Sequence, residues 1–240
     1  MNTSNKSHRI VVLDTETTGM NREGGPTYLN HRIIEIGAVE IIDRKLTGRH
    51  FHVYIKPNRE IQPDAITVHG ITDEFLLDKP DYKEIHQEFL EFIDGAELVA
   101  HNAPFDVGFM DYEFSMLDPA IGKTADHCQI TDTLAMAKRM PNMPSRKNLD
   151  SLAKHYTIDI SARVLHGALL DAEILADVYL AMTGGQTDLE FASANGSSAG
   201  QAQGITRAAG GRKLKVIRAT DEELVAHSER LKLVSEDLNW

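Results

Sequence analysis

Ile10-Val11-Val12-Leu13 (IVVL) runs straight into Asp14-Thr15-Glu16. A short continuous apolar run has no solvated face, so it predicts a central strand buried on both sides. Arg32 to Ile42 (RIIEIGAVEII) and Phe51 to Lys56 (FHVYIK) follow, rich in β-branched residues, with the polar Asp43 to Arg49, including Gly48, between them. This pattern predicts a hairpin beside the first strand. Leu98 to Ala100 reads as a fourth strand and Gln129 to Thr131 as the edge of a fifth. Helical spacing marks Tyr82 to Ile93, where Ile85, Phe89 and Phe92 recur at intervals of three and four, and Phe105 to Leu117. Further helices are expected at Asp132 to Arg139, Leu149 to His155 and Ala168 to Met182. Strands alternating with helices make this an α/β chain.

Three motifs carry chemistry. In Asp14-Thr15-Glu16 two carboxylates stand two positions apart at the end of a strand, so persisting strand geometry points both to one face. Carboxylates crowded at a buried strand end repel one another, and a set of oxygen ligands favours Mg²⁺ or Mn²⁺ over zinc. Asp106, in His101-Asn102-Ala103-Pro104-Phe105-Asp106, follows the fourth strand and falls in the first turn of a helix, with Asn102 as N-cap and Pro104 in that turn. His166-Gly167-Ala168-Leu169-Leu170-Asp171 opens the last strongly patterned helix. On a continuous helix His166 and Asp171 would diverge by about 140° at ~100° per residue. His166 is therefore expected in the preceding loop, with Gly167 allowing its approach and Asp171 projecting from the helix. Each motif alone has an ordinary explanation: a solvated strand end, an acid complementing a helix dipole, a surface histidine.

In order and spacing the three motifs resemble those of the DEDDh superfamily of 3′→5′ exonucleases. From about Arg9 to Phe191, at LDTETTGMN, RIIEIGAVE, VHGI, FDVGFMDYEFS and LHGALLDAEILADVYLAMTGGQT, the chain resembles the superfamily's bacterial DNA polymerase III epsilon branch. That resemblance implies a ribonuclease H-like fold: a mixed five-stranded sheet flanked by helices, with the site where the first and fourth strands end. It also implies that Asp14, Glu16, Asp106 and Asp171 bind metal and that His166 is the general base. Two divalent cations, Mg²⁺ or Mn²⁺, would act on the scissile phosphate, releasing nucleoside 5′-monophosphates from DNA 3′ ends, mispaired ends above all. Thr15, Asp64 and His69 are candidate substrate contacts, the last in the loop Val68-His69-Gly70-Ile71. A relative that trims RNA ends, or an idle module that stabilises a polymerase, would use the same scaffold.

The 240 residues carry 36 acids against 25 bases, a net charge of −11, which argues against a protein that grips duplex nucleic acid with a wide basic surface. Cys128 is the only cysteine, so there is neither an intramolecular disulfide nor a thiolate zinc cluster, and a reducing cytoplasm is the expected compartment. Neither an apolar export segment nor a membrane-length apolar stretch occurs. Residues 1–8 read as a disordered N-terminus, 9–185 as the exonuclease domain and Ala192 to Gly204 (ASANGSSAGQAQG), within 192–205, as a flexible linker. Gln186-Thr187-Asp188-Leu189-Glu190-Phe191 is similar to sliding-clamp-binding motifs, with Gln186, Leu189 and Phe191 as anchors. Residues 206–240 resemble a tail that binds the polymerase alpha subunit, with a capping box at Thr220-Asp221-Glu222-Glu223 opening an amphipathic helix. A small theta-like third subunit is the remaining partner that the resemblance raises.

Overall fold

The computed structural model describes residues 8–161, 163–184 and 220. Apart from Thr220 these belong to the first of the chain's two units, Met1–Ala194. The expected linker, clamp-binding motif and polymerase-binding tail, with the capping box beyond Thr220, lie outside the described residues.

Five strands, β1 (Arg9–Thr17), β2 (Ile33–Ile42), β3 (Lys45–Tyr54), β4 (Glu97–Ala100) and β5 (Gln129–Asp132), form one mixed sheet in the order β3-β2-β1-β4-β5. Strand β1 runs antiparallel to β2 and parallel to β4, and β5 runs parallel to β4. Along β1 the side chains alternate between two helical layers. Val11 and Leu13 pack with Phe89 of α3 (Tyr82–Ile93) and Phe109 and Phe114 of α4 (Pro104–Leu117). Ile10 and Val12 instead meet Ala172, Leu175 and Tyr179 of α8 (Ala168–Gly184). Burial on both faces is worth about 1.5–3 kcal/mol for each of these aliphatic side chains, enough to fix the register. A one-residue slip would exchange the layers and turn Asp14 and Glu16 away from α8.

Helix α8 is buried on more than one side. Ala172 and Leu175 face the sheet, while Ile174, Val178 and Met182 pack with Ala137 of α6 (Thr133–Arg139) and Leu152 of α7 (Leu149–His155). Its first turn crosses β2 at backbone distance: a Cβ on Gly37 would lie 2.1 Å from the Leu169 amide nitrogen and 2.2 Å from the Ala168 carbonyl carbon. Glycine is required there by space, and the close approach brings Asp171 over the sheet.

Several local readings need correction. The hairpin turns on Asp43 and Arg44 alone, at φ 50° and 62°, and β3 (Lys45–Tyr54) begins at once. The polar stretch to Arg49 is therefore edge strand rather than loop: its first residues face solvent and need no apolar side chains. Asn102 is not the N-cap of α4. It sits at φ 66° in the turn after β4, and Ala103 precedes Pro104 at the cap. Val68 and His69 end helix α1 (Pro63–His69), closed by Gly70 at φ 74°, and Asp64 lies in that helix's first turn. This short helix, α2 (Asp73–Leu76) and α5 (Thr124–His127) are too brief to show periodicity. His8, expected in the disordered N-terminus, bonds Glu97 at 2.5 Å.

Candidate functional site

Because β1 and β4 are parallel, their C-terminal ends open at the same edge, the usual place for ligand binding in an open α/β sheet. Asp14, Thr15 and Glu16 come from the end of β1, and Asp106 from the first turn of α4, one short turn after β4. Asp171 comes from the first turn of α8, and His166 from the loop just before it, its backbone N–H bonded to the Val68 carbonyl at 3.2 Å. All six line one cleft of about 290 Å³, together with His101, Asn148, Asp150 and Arg163.

The electrostatics are those of a charge-deficient pocket. Burial pushes the Asp14 carboxyl well above the usual range, and the charges of Asp106, Glu16 and Asp171 push the same way. Glu16 is pushed up to about 8, first by burial and then by the neighbouring Glu35 of β2. Burial pushes Asp106 up to about 7, against the Thr15 hydroxyl that donates to it at 2.7 Å. Among the described residues one cation answers this cluster. Arg163 donates from Nε and Nη2 to the two oxygens of Asp171, each at 2.5 Å, and from Nη1 to Asp150 at 2.5 Å. Its Nη2 also lies 2.7 Å from His166 Nδ1. The same imidazole nitrogen lies 3.2 Å from Asp171 Oδ2, so it sits between a guanidinium donor and a carboxylate acceptor.

Ligand atoms of Glu16, His166 and Asp171 lie within 4.8 Å of one another. Asp64 and His69 stand apart from this group. Asp64 is exposed, pairs with Arg22 at 3.2 Å and lines a separate groove of about 460 Å³. His69 is buried, its Nδ1 accepts from the Ile71 amide at 3.0 Å, and its Nε2, near the Thr17 backbone, makes no well-formed hydrogen bond. Burial holds its imidazole below the usual range and therefore neutral.

Comparison with known proteins agrees with this architecture. The family model described as "Exonuclease" matches residues 11–179. The DNA polymerase III subunit epsilon of Escherichia coli (strain K12) is 57% identical over 231 residues, covering 94% of this chain and 93% of that protein. That of Haemophilus influenzae is 55% identical over 238 residues, covering 95% and 91%. The chain belongs to the DNA polymerase III epsilon subunit family. Among solved structures, exonuclease X in complex with 5′ overhanging duplex DNA is 27% identical, with a TM-score of 0.53 over 73% of this chain and 91% of that one. An E. coli exonuclease I complex with single-stranded DNA shares the fold at 18% identity and a TM-score of 0.63, over 78% of this chain and 42% of that one.

The residues of this epsilon-family chain fit divalent metal. Four carboxylates and an imidazole converge where one guanidinium leaves negative charge uncompensated, and hard oxygen donors suit Mg²⁺ or Mn²⁺. Sequence reasoning missed Arg163, because an isolated arginine in a loop carries no signal until the fold delivers it. Glu35 was missed too, although it left a signal: an acid inside the apolar run of RIIEIGAVEII must be paired if buried, and it bonds His52 at 2.8 Å.

Proposed function

We propose that this site hydrolyses the 3′-terminal phosphodiester of DNA and serves as the proofreading 3′→5′ exonuclease of DNA polymerase III. The observation that carries the reading is the convergence of Asp14, Glu16, Asp106, Asp171 and His166 on one cleft from three separate segments. The carboxylates would hold two divalent cations, Mg²⁺ or Mn²⁺, which supply charge neutralisation at the phosphate and acidify the attacking water. Thr15 orients Asp106 through its hydroxyl. His166 takes the water's proton, for which it needs a free ring nitrogen; release from Arg163 exposes Nδ1. The Nε2–H of His69 and the carboxylate of Asp64, both on α1, are the proposed contacts to the terminal nucleotide.

A frayed, mispaired end reaches such a cleft more readily because its unpairing cost is already met. The decisive assay is digestion of matched and mismatched primer ends, with and without Mg²⁺, by wild type and Asp14→Ala. Mismatch-preferring, Mg²⁺-dependent release of 5′-monophosphates that the variant lacks is the expected result. Undiminished cutting in excess EDTA overturns the metal requirement, and faster cutting of RNA than of DNA overturns the substrate.

For partners we propose the polymerase alpha subunit through residues 206–240, the beta sliding clamp through Gln186, Leu189 and Phe191, and a theta-like small subunit, all in the cytoplasm. Tethering by a linker at 192–205 would keep the nuclease at high local concentration near the primer end. Deletion after Gly200 should abolish alpha binding and spare nuclease activity; a complex that survives the deletion places the tether elsewhere. No helix among the described residues is long and apolar enough to cross a membrane.

A further inference from the structure

Against a net charge of −11, the segment from Thr133 to Leu149 holds Lys138, Arg139, Arg146 and Lys147 and not one acid in 17 residues. Among the described residues none of these four cations forms an ion pair, whereas solvated helical surfaces usually mix both signs. The segment borders a groove of about 450 Å³ whose walls include Leu134, Lys138, Ser145 and Lys147. His101, Asn102 and Asn148 line both this groove and the acidic cleft, so the two are continuous. The groove is also held in shape. The His101 ring bonds Thr133 Oγ1 at 2.9 Å, Lys147 Nζ donates to the Pro144 carbonyl at 3.1 Å, and the Asn148 side chain caps α7 by accepting from Ser151 at 3.2 Å.

The position of the groove in the sheet gives it a direction. Helix α1 packs on the β2 side of β1, with Ile61, Ile66 and Ile71 against Ile34, whereas α6 follows β5 at the opposite edge. A strand whose last nucleotide rests on α1 and whose scissile phosphate lies at the β1 acids must leave toward β4 and β5. That is where the cations are.

We propose that the segment between α6 and α7, with the groove it borders, binds the phosphodiester backbone of the substrate strand on the 5′ side of the cleaved bond. This inference rests on the exonuclease reading for its direction and gives an acidic chain a basic track beside its cleft. Contacts to phosphates carry no base information, so the track tolerates any sequence, as removal of any misincorporated nucleotide requires.

The test uses the full chain carrying Lys138→Glu and Arg146→Glu together, with Lys138→Gln and Arg146→Gln as the neutral pair. Both positions are exposed, so folding should survive. Each lost contact to a single strand flattens the dependence of log affinity on log salt by ~0.7, so the neutral pair should weaken binding of a long oligonucleotide roughly tenfold at ~0.15 M salt. The KM should rise in parallel, more steeply for charge reversal and much less for a dinucleotide, whose one phosphate belongs to the acidic cleft. Anisotropy of a labelled oligonucleotide separates the two readings. A wild type that binds in this salt-dependent way but cuts no DNA refutes the exonuclease and keeps the track. Variants that bind the long oligonucleotide as tightly as wild type, with the same salt slope, overturn the track whether or not the enzyme cuts.

Discussion

Replacing Arg163 with Met removes the only cation that the described structure sets among the cleft's acids, and the cost can be worked through. The Arg163 side chain is 7% exposed and that of Asp171 3%, so the pair is shielded from solvent and removal of one partner belongs to the class costing about 3–5 kcal/mol. The chain has an escape, which is to take up a proton. Protonating a carboxyl of ordinary pKa ~4 at pH 7 costs about 4 kcal/mol, at ~1.36 kcal/mol per unit, which caps the loss. For a domain of this size that corresponds to a melting temperature lowered by roughly 8–16 °C in EDTA, at ~2–4 °C per kcal/mol. Saturating Mn²⁺ should close more than half of the gap, because bound cations then neutralise the same carboxylates. The variant should also bind Mn²⁺ at least ~10-fold more tightly by calorimetry, since only ~1.4 kcal/mol of removed competition is needed. Equal melting temperatures in EDTA, or weaker Mn²⁺ binding by the variant, would refute the view of Arg163 as a counter-ion that metal displaces.

Three further outcomes follow from the same geometry. His166→Ala should reduce turnover by roughly two to four orders of magnitude in single-turnover digestion while leaving calorimetric metal binding largely intact, the scale of general-base catalysis; near-normal turnover would remove the assigned base. In EDTA the protein should lose stability as pH rises from about 4 toward 8. Asp14, Glu16 (about 8) and Asp106 (about 7) have raised folded-state values, so the folded state holds more protons than the unfolded one across that window, and denaturant midpoints should fall with pH unless Mg²⁺ is present. Gly37→Ala should destabilise by about 1–3 kcal/mol in urea, the scale of overpacking, and should lower activity out of proportion, because the methyl group meets the backbone of the turn that carries Asp171. A variant with wild-type stability and rate would show that the crossing can relax.

How much of this was legible in the chain depends on distance along it. Local signals sufficed for the buried β1, since IVVL has no polar face, and for α3, whose apolar spacing marks its length. The five motif residues were legible as a set only through the resemblance, because each motif alone reads as a solvated strand end, an acid complementing a helix dipole or a surface histidine. Polar strand residues such as Lys45 and Thr47 looked like loop because an exposed edge face makes no demand for apolar side chains. Helices as short as α1 and α2 repeat too few turns to leave a pattern.

Local pattern in the chain was therefore enough for the buried strands and the longer helices, and motif order for the resemblance to an exonuclease family that groups four acids with a histidine. The strand order came from folding alone; it makes β1 and β4 parallel neighbours and so brings Asp14, Glu16 and Asp106 to one edge. Folding also decided where the compensating charges lie: Arg163 inside the cleft and the unpaired cations of the α6–α7 segment along its exit. Propensity and periodicity act over a few residues, whereas electrostatic compensation is settled by distances across space between segments that no local pattern connects.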